Sequence, residues 1–238
     1  MNPNRSTRLI QILTFLTLVT VAVVPLHGSA QIAITGISNT GSSSPDSTIP
    51  SLELFIEQVK TSSIEQITGL YVENLFSFPV IQQPSDQPAN VSPNDDLVTQ
   101  FSSASAFGSL GFLAHNNLAG IKFPEIKNGD LISVVFGDGH FTQYQVTQIR
   151  RLQAVRPTDP YSSFLDLSNN QILTVQDVFY QTYGVRDQLI LQTCISSQGI
   201  DSWGRLFVIA VPYTSAIYGG AIQRIHSAVR KGVNSSVW

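Results

Sequence analysis

Between Gly69 and Pro212 the apolar residues come in short runs, separated by clusters of Gly, Pro, Asn, Asp and Ser. That spacing predicts strands rather than long helices. Residues 70–81 carry Tyr71, Val72, Leu75, Phe76, Phe78 and Val80 and read as β structure, with Pro79 marking an edge or a bulge. A polar, proline-rich loop follows at 84–96, then two more strand candidates at 97–101 and 108–114, the second ending at His115. After turn-rich residues 116–120, Phe123 and Ile126 return to the core. The clearest hairpin pairs 130–136 with 140–153 across Gly137-Asp138-Gly139. In its second strand Tyr144 and Val146 face one way and Gln143, Gln145 and Thr147 the other, as in a half-exposed antiparallel strand. Residues 189–193 read as a buried strand ending at Cys194, followed by a Ser/Gly/Asp-rich loop. Gly204-Arg205 then introduces a last strand at 206–211.

Helical spacing appears in three places. Leu52, Phe55, Ile56 and Val59 predict a short helix within 51–61, with Ser51 as N-cap. The long insertion at 156–188 holds a second over 175–183, with Thr174 as N-cap and Asp177 completing a capping-box pattern. Ile217, Ala221, Ile222, Ile225 and Val229 mark a third in the tail, alongside Arg224, Arg230 and Lys231; that tail is too polar to span a membrane. About eight short antiparallel strands with few long helices predict an all-β fold, a small closed barrel.

The first residues change the picture of where the chain acts. Arg5 and Arg8 precede an apolar run from Leu9 to Leu26, and Gly28-Ser29-Ala30 offers a small-residue cleavage site. The run would span about 27 Å as a helix at about 1.5 Å per residue, slightly short of a bilayer core. Residues 1–30 are therefore a signal peptide or an N-terminal membrane anchor, and both deliver the rest outside the cytoplasm. Residues 31–50, rich in Ser, Gly, Thr and Pro, form a linker. The globular domain is 51–212, with its core at about 69–212, and 213–238 are a helical tail.

The chain has 238 residues, 12% of them charged, and a formal net charge of −3. No basic cluster points to nucleic acid. The four histidines are scattered without zinc spacing, no Asp/Glu cluster has a calcium-loop spacing, and no cofactor is expected. The single cysteine, Cys194, allows no internal disulfide, and in an exported protein it is a candidate reactive thiol. If the last two strands pair, Arg205 lies close to Cys194, and a cation there favours the thiolate. Arg186, the rival cation, sits at the other end of the cysteine strand. His140 lies at a hairpin tip and reads as exposed turn chemistry.

Ile190-Leu191-Gln192-Thr193-Cys194 resembles the Thr-Leu-x-Thr-Cys signature of sortases, the cysteine transpeptidases of bacterial envelopes, with Ile190 in place of the first Thr. As in that family, an Arg (Arg205) follows on the next strand and a His (His115, in Phe112-Leu113-Ala114-His115) lies far upstream. The resemblance covers about 69–212 and implies an eight-stranded barrel. It implies Cys194 as nucleophile, His115 as acid/base and Arg205 as oxyanion donor, with Thr193 and Leu191 as candidate substrate contacts. It further implies the helix at 175–183 as a groove wall, and an N-terminal anchor. The implied partners are a peptide sorting signal and an amine acceptor. Two other readings stay open: a hydrolytic cysteine peptidase with the same site, and a catalytically silent peptide-binding envelope domain.

Overall fold

The computed structural model describes residues 49–214, apart from 85, 88 and 160. The leader or anchor, the linker up to residue 48 and the tail from 215 lie outside the described residues. Among the described residues no helix is long and apolar enough to cross a membrane.

Ten strands run in chain order: β1 (Ile67–Val72), β2 (Phe76–Gln82), β3 (Val98–Phe101), β4 (Leu110–Leu113), β5 (Leu131–Phe136), β6 (Phe141–Ala154), β7 (Phe164–Asp166), β8 (Ile172–Leu173), β9 (Leu189–Ser197) and β10 (Ile200–Pro212). The sheet order is β10-β9-β4-β3-β2-β1-β5-β6, and β6 pairs back onto β10, so eight strands close into a barrel. Closure removes the free edges that an open sheet would expose. β6 leaves β5 after Gln145 and takes up β7 from Leu152 onward, so the β7–β8 hairpin extends the sheet outside the circuit.

Two seams are parallel, β2 with β3 and β4 with β9, where an all-antiparallel barrel was expected. Alternation reports which face a residue takes and carries no information on the direction of a neighbour. The segment 70–81 is also two strands, not one. Asn74 turns the chain at φ +59°, a left-handed conformation that Asn tolerates better than most residues. Pro79 pairs with Gly69 of β1 on one side, and since β2 meets β3 only from Val80 its other side is a local edge, as expected, with no bulge at it.

Side-chain alternation divides the apolar residues into layers. Leu70, Phe112, Leu189, Leu191, Leu206 and Val208 point into the barrel and fill it. Leu113, Ile190, Phe207 and Ile209 point outward from β4, β9 and β10 into a second cluster. That cluster is covered by Phe164 and Leu173 of the β7–β8 hairpin and by one face of a helix. On the far side, the first helix α1 (Leu52–Val59) sets Phe55 and Val59 against Tyr71 and Val135. Its N-cap is Ser51, whose hydroxyl accepts from the Leu54 amide at 3.4 Å.

A one-turn helix α2 (Ser102–Ser105) follows β3, and a 3₁₀ helix (Ala119–Glu125) brings Phe123 into the barrel core. The covering helix α3 (Val175–Tyr183) has the anticipated capping box, with Thr174 and Asp177 each bonding the other's backbone. Thr174→Ala should cost about 1 kcal/mol. Urea unfolding should show this as a lower midpoint at unchanged slope.

Candidate active site

Cys194 and Arg205 are direct cross-strand partners in the β9–β10 pair. Opposed residues in an antiparallel pair send their side chains to the same face. Here that face is the outer one, because Ile190, four pairs earlier on β9, and Phe207, two pairs on along β10, belong to the outer cluster. β4 lies on the other side of β9 in parallel register, its last pair being Leu113 with Gln192. The Ala114 amide still donates to the Gln192 carbonyl at 3.2 Å. β4 ends at Leu113, and His115 follows two residues beyond the paired register, on the side of β9 away from β10. Cys194 and Arg205 thus stand on neighbouring strands, and His115 lies in the segment that leaves the strand on the other side of Cys194.

Cys194 lies inside a strand, not at its end. β9 runs on to Ser197, and a two-residue turn, Gln198 (φ +53°) and Gly199 (φ +76°), leads straight into β10. Both turn residues are left-handed, as in the hairpin turns whose twist matches that of strands. Residues 195–203 read as a loop because this end of the hairpin projects past the core, and so carries polar residues.

Arg205 is only 4% exposed. Its Nη1 donates to the carbonyls of Gly204 (2.9 Å) and Ser202 (3.3 Å), and its guanidinium lies 5.9 Å from the centre of the Phe164 ring. A buried cation held by carbonyls and an aromatic face has little freedom of direction. Phe164 thereby acts through Arg205, a role that no sequence signal announced, since β7 has only three residues.

Cys194 is 5% exposed, and burial pushes its thiol pKa up. Arg205 pulls it down and Asp201 pushes it up again, both more weakly than burial. The cation therefore does not by itself make a thiolate, contrary to the expectation from its proximity. His115 is half-buried, and desolvation lowers its pKa against a smaller opposing effect from a hydrogen bond to the Val91 backbone. At neutral pH the resting pair is a thiol and a neutral imidazole.

Val91, from the loop between β2 and β3, also lines the cavity over Cys194 together with Gln192 and Arg205. That cavity measures about 10 Å³, room for about one water at most. The loop is pinned where Gln83 Nε2 donates to the Asn90 carbonyl (2.9 Å) and the Ser92 amide to Thr99 Oγ1 (2.8 Å). Among the described hydrogen bonds, none joins His115 to Cys194.

Neighbouring groups brace the site. Asn116 Nδ2 donates to Ser196 Oγ (2.5 Å) and to the Asp201 carbonyl (3.3 Å), tying the turn after His115 to the cysteine hairpin. Tyr183 of α3 donates to Gln192 Oε1 at 2.7 Å, so this helix borders the site as a wall of the outer face rather than closing a barrel end. Thr193 alternates to the opposite side, and its Oγ1 is buried without a hydrogen bond among the described residues. A Cβ on Gly120 would come within 2.4 Å of that oxygen and 2.6 Å of the His115 carbonyl, so only glycine lets the 3₁₀ helix approach here.

Leu191 is fully buried in the barrel interior, which removes its side chain from substrate contact. Arg186 lies against Gly108, at the far end of β9 from Cys194. His140 is exposed at its turn, bonded to Asp138 and stacked on Phe136. Among the described residues no group of three His, Cys, Asp or Glu side chains could hold a metal ion.

Solved structures that resemble this chain are sortases. Sortase C1 of Streptococcus agalactiae is 15% identical, with a TM-score of 0.40 over 67% of this chain and 74% of that one. A lid mutant of sortase A from Corynebacterium diphtheriae is 14% identical, with a TM-score of 0.41 over 63% and 70%. No protein-family model and no curated protein matches the chain. Scores at this level fix neither a shared fold nor an activity, so the barrel stands on its own strand pairings.

Because burial outweighs the Arg205 charge, alkylation of Cys194 by iodoacetamide should be slower at pH 7 than that of free cysteine. Its rate should climb with an inflection above the usual thiol range of about 8.5. Rates against pH, with glutathione as reference, measure both.

Proposed function

We propose that this protein is a sortase-type cysteine transpeptidase, which cleaves a peptide sorting signal through a thioacyl-enzyme and passes the acyl group to an amine at the cell envelope. The observation that carries this reading is the cross-strand pair of Cys194 and Arg205 on the outer face of the barrel, with His115 in the segment that leaves the neighbouring strand β4. The N-terminal segment would export the domain and hold it at the membrane.

Displacement of the Val91 loop opens the cavity and releases the imidazole together. The Cys194 proton then passes to His115, and the sulfur adds to the scissile carbonyl. Arg205 donates to the oxygen as negative charge develops there, a role that suits a buried and pre-aimed guanidinium. Collapse breaks the C–N bond while His115 returns its proton to the leaving nitrogen, giving a thioester and a free amine. The acceptor amine attacks the thioester, gives up a proton to His115 and expels the thiolate. Water in place of the amine would give hydrolysis.

Incubation with a peptide substrate library, followed by intact-mass measurement, should reveal an acyl adduct in the wild type and none in Cys194→Ala. Added hydroxylamine should divert the product from acid to hydroxamate. An adduct on the Ala variant would remove Cys194 as nucleophile, and products unchanged by the amine would favour the peptidase reading.

Arg205→Lys separates charge from geometry. An ammonium keeps the charge but loses the planar fork of donors. Turnover should fall by about 100-fold or more, the usual cost of one oxyanion donor. The alkylation profile should barely move, because burial dominates the thiol's pKa. Near-normal kcat in this variant would show that charge alone suffices.

A further inference from the structure

A second cavity lies on the opposite side of the barrel, beside β1, which is four strands from β9 in either direction round the circuit. It measures about 430 Å³, within the range of small-ligand sites. Its wall includes Glu53, Tyr71, Glu73, Ser133, Gln143 and the apolar Leu52. No Lys, Arg or His lines it among the described residues.

Tyr71 is the informative member. It is 8% exposed and packs on Phe55, yet among the described residues its hydroxyl makes no hydrogen bond. Burial, Glu73 and Glu53, in that order, raise its pKa, so the phenol stays protonated and both carboxylates lie near it. Glu53 is engaged with Ser51 in the first turn of α1. Glu73 has no ion pair among the described residues. A mostly buried phenol whose oxygen opens to the cavity without a protein partner among the described residues, two carboxylates and an apolar wall suit a ligand with a positive head and an aliphatic stem. A bare metal ion would leave most of this volume empty.

We propose that this cavity binds an organic cation, the ammonium or guanidinium of a basic side chain on an extended peptide. The stem lies along Leu52 and the head meets Glu73, Glu53 and the Tyr71 oxygen. One source is the chain itself. The Tyr213 amide donates to the carbonyl of Gln143, a wall residue, so the chain leaves the described region at Thr214 beside the cavity. The 24 residues after that point carry Arg224, Arg230 and Lys231 and no acidic residue. The other source is a separate basic peptide.

The test is a chemical-shift titration of the full chain in detergent micelles with Nα-acetyl-lysine methylamide, with the Ser133 and Gln143 amides as reporters. Saturable shifts are expected with this probe and none with the uncharged norleucine analogue. Affinity should fall about 10-fold or more in Glu53→Gln/Glu73→Gln and about 3- to 10-fold in Tyr71→Phe, the range for one lost hydrogen bond. The variant Arg224→Gln/Arg230→Gln/Lys231→Gln assigns the source. Tighter probe binding than in the wild type supports a site filled by the chain's own tail, and equal binding supports a site for a separate peptide. The absence of saturable shifts in both proteins, or equal shifts with the norleucine probe, would overturn the site. The readout is binding rather than turnover, so it is independent of the reaction proposed for Cys194.

Discussion

The structure depends on β10 being paired along both edges. Nine of its residues, from Gly204 to Pro212, pair with β6, while the other edge runs against β9. That double pairing closes the barrel and sets which side of each strand faces in. Inward go Leu206, Val208 and Ala210; outward go Arg205, Phe207 and Ile209. A slip of one residue would exchange the two sets and put a guanidinium into the hydrocarbon interior, which would cost several kcal/mol. Register and site are therefore one constraint, since the pairing that buries the core also opposes Arg205 to Cys194.

Burying a cation beside a thiol has two effects of opposite sign. Desolvation disfavours the thiolate, and the guanidinium favours it, but desolvation is the larger. The resting site is thus a quiet one, with a protonated sulfur under Val91 and a neutral imidazole bonded to the same residue's backbone. Such an arrangement keeps a lone thiol unreactive for as long as the sulfur stays covered. It also fixes the direction of Arg205, whose guanidinium is held by the Gly204 and Ser202 carbonyls and lies beside the Phe164 ring.

Much of the architecture was legible in the residues. The hairpin around Gly137-Asp138-Gly139 showed itself by alternation and turn chemistry, and Gly139 adopts φ +91°. Helices α1 and α3 and their caps followed from apolar spacing and from Ser51, Thr174 and Asp177. The features that escaped have a common cause. The turn at Asn74, the β7–β8 hairpin around Asn170 and the Gln198-Gly199 turn place non-glycine residues at positive φ or use strands of two or three residues. Neither leaves a periodic signal long enough to read.

The sequence by itself determined a chain of short strands, two capped helices, one thiol, and a His and an Arg in a suggestive order around it. It did so because local propensity and side-chain period are properties of neighbouring residues. Only the tertiary structure decided that two seams run parallel, that Cys194 and Arg205 share one outer face, and that Leu191 and Thr193 turn away from it. Strand neighbours far apart in sequence are chosen by closure of the whole barrel, and no local pattern encodes that choice. The balance between burial and Arg205 at the thiol was likewise set by packing, since desolvation depends on what the fold places over the sulfur.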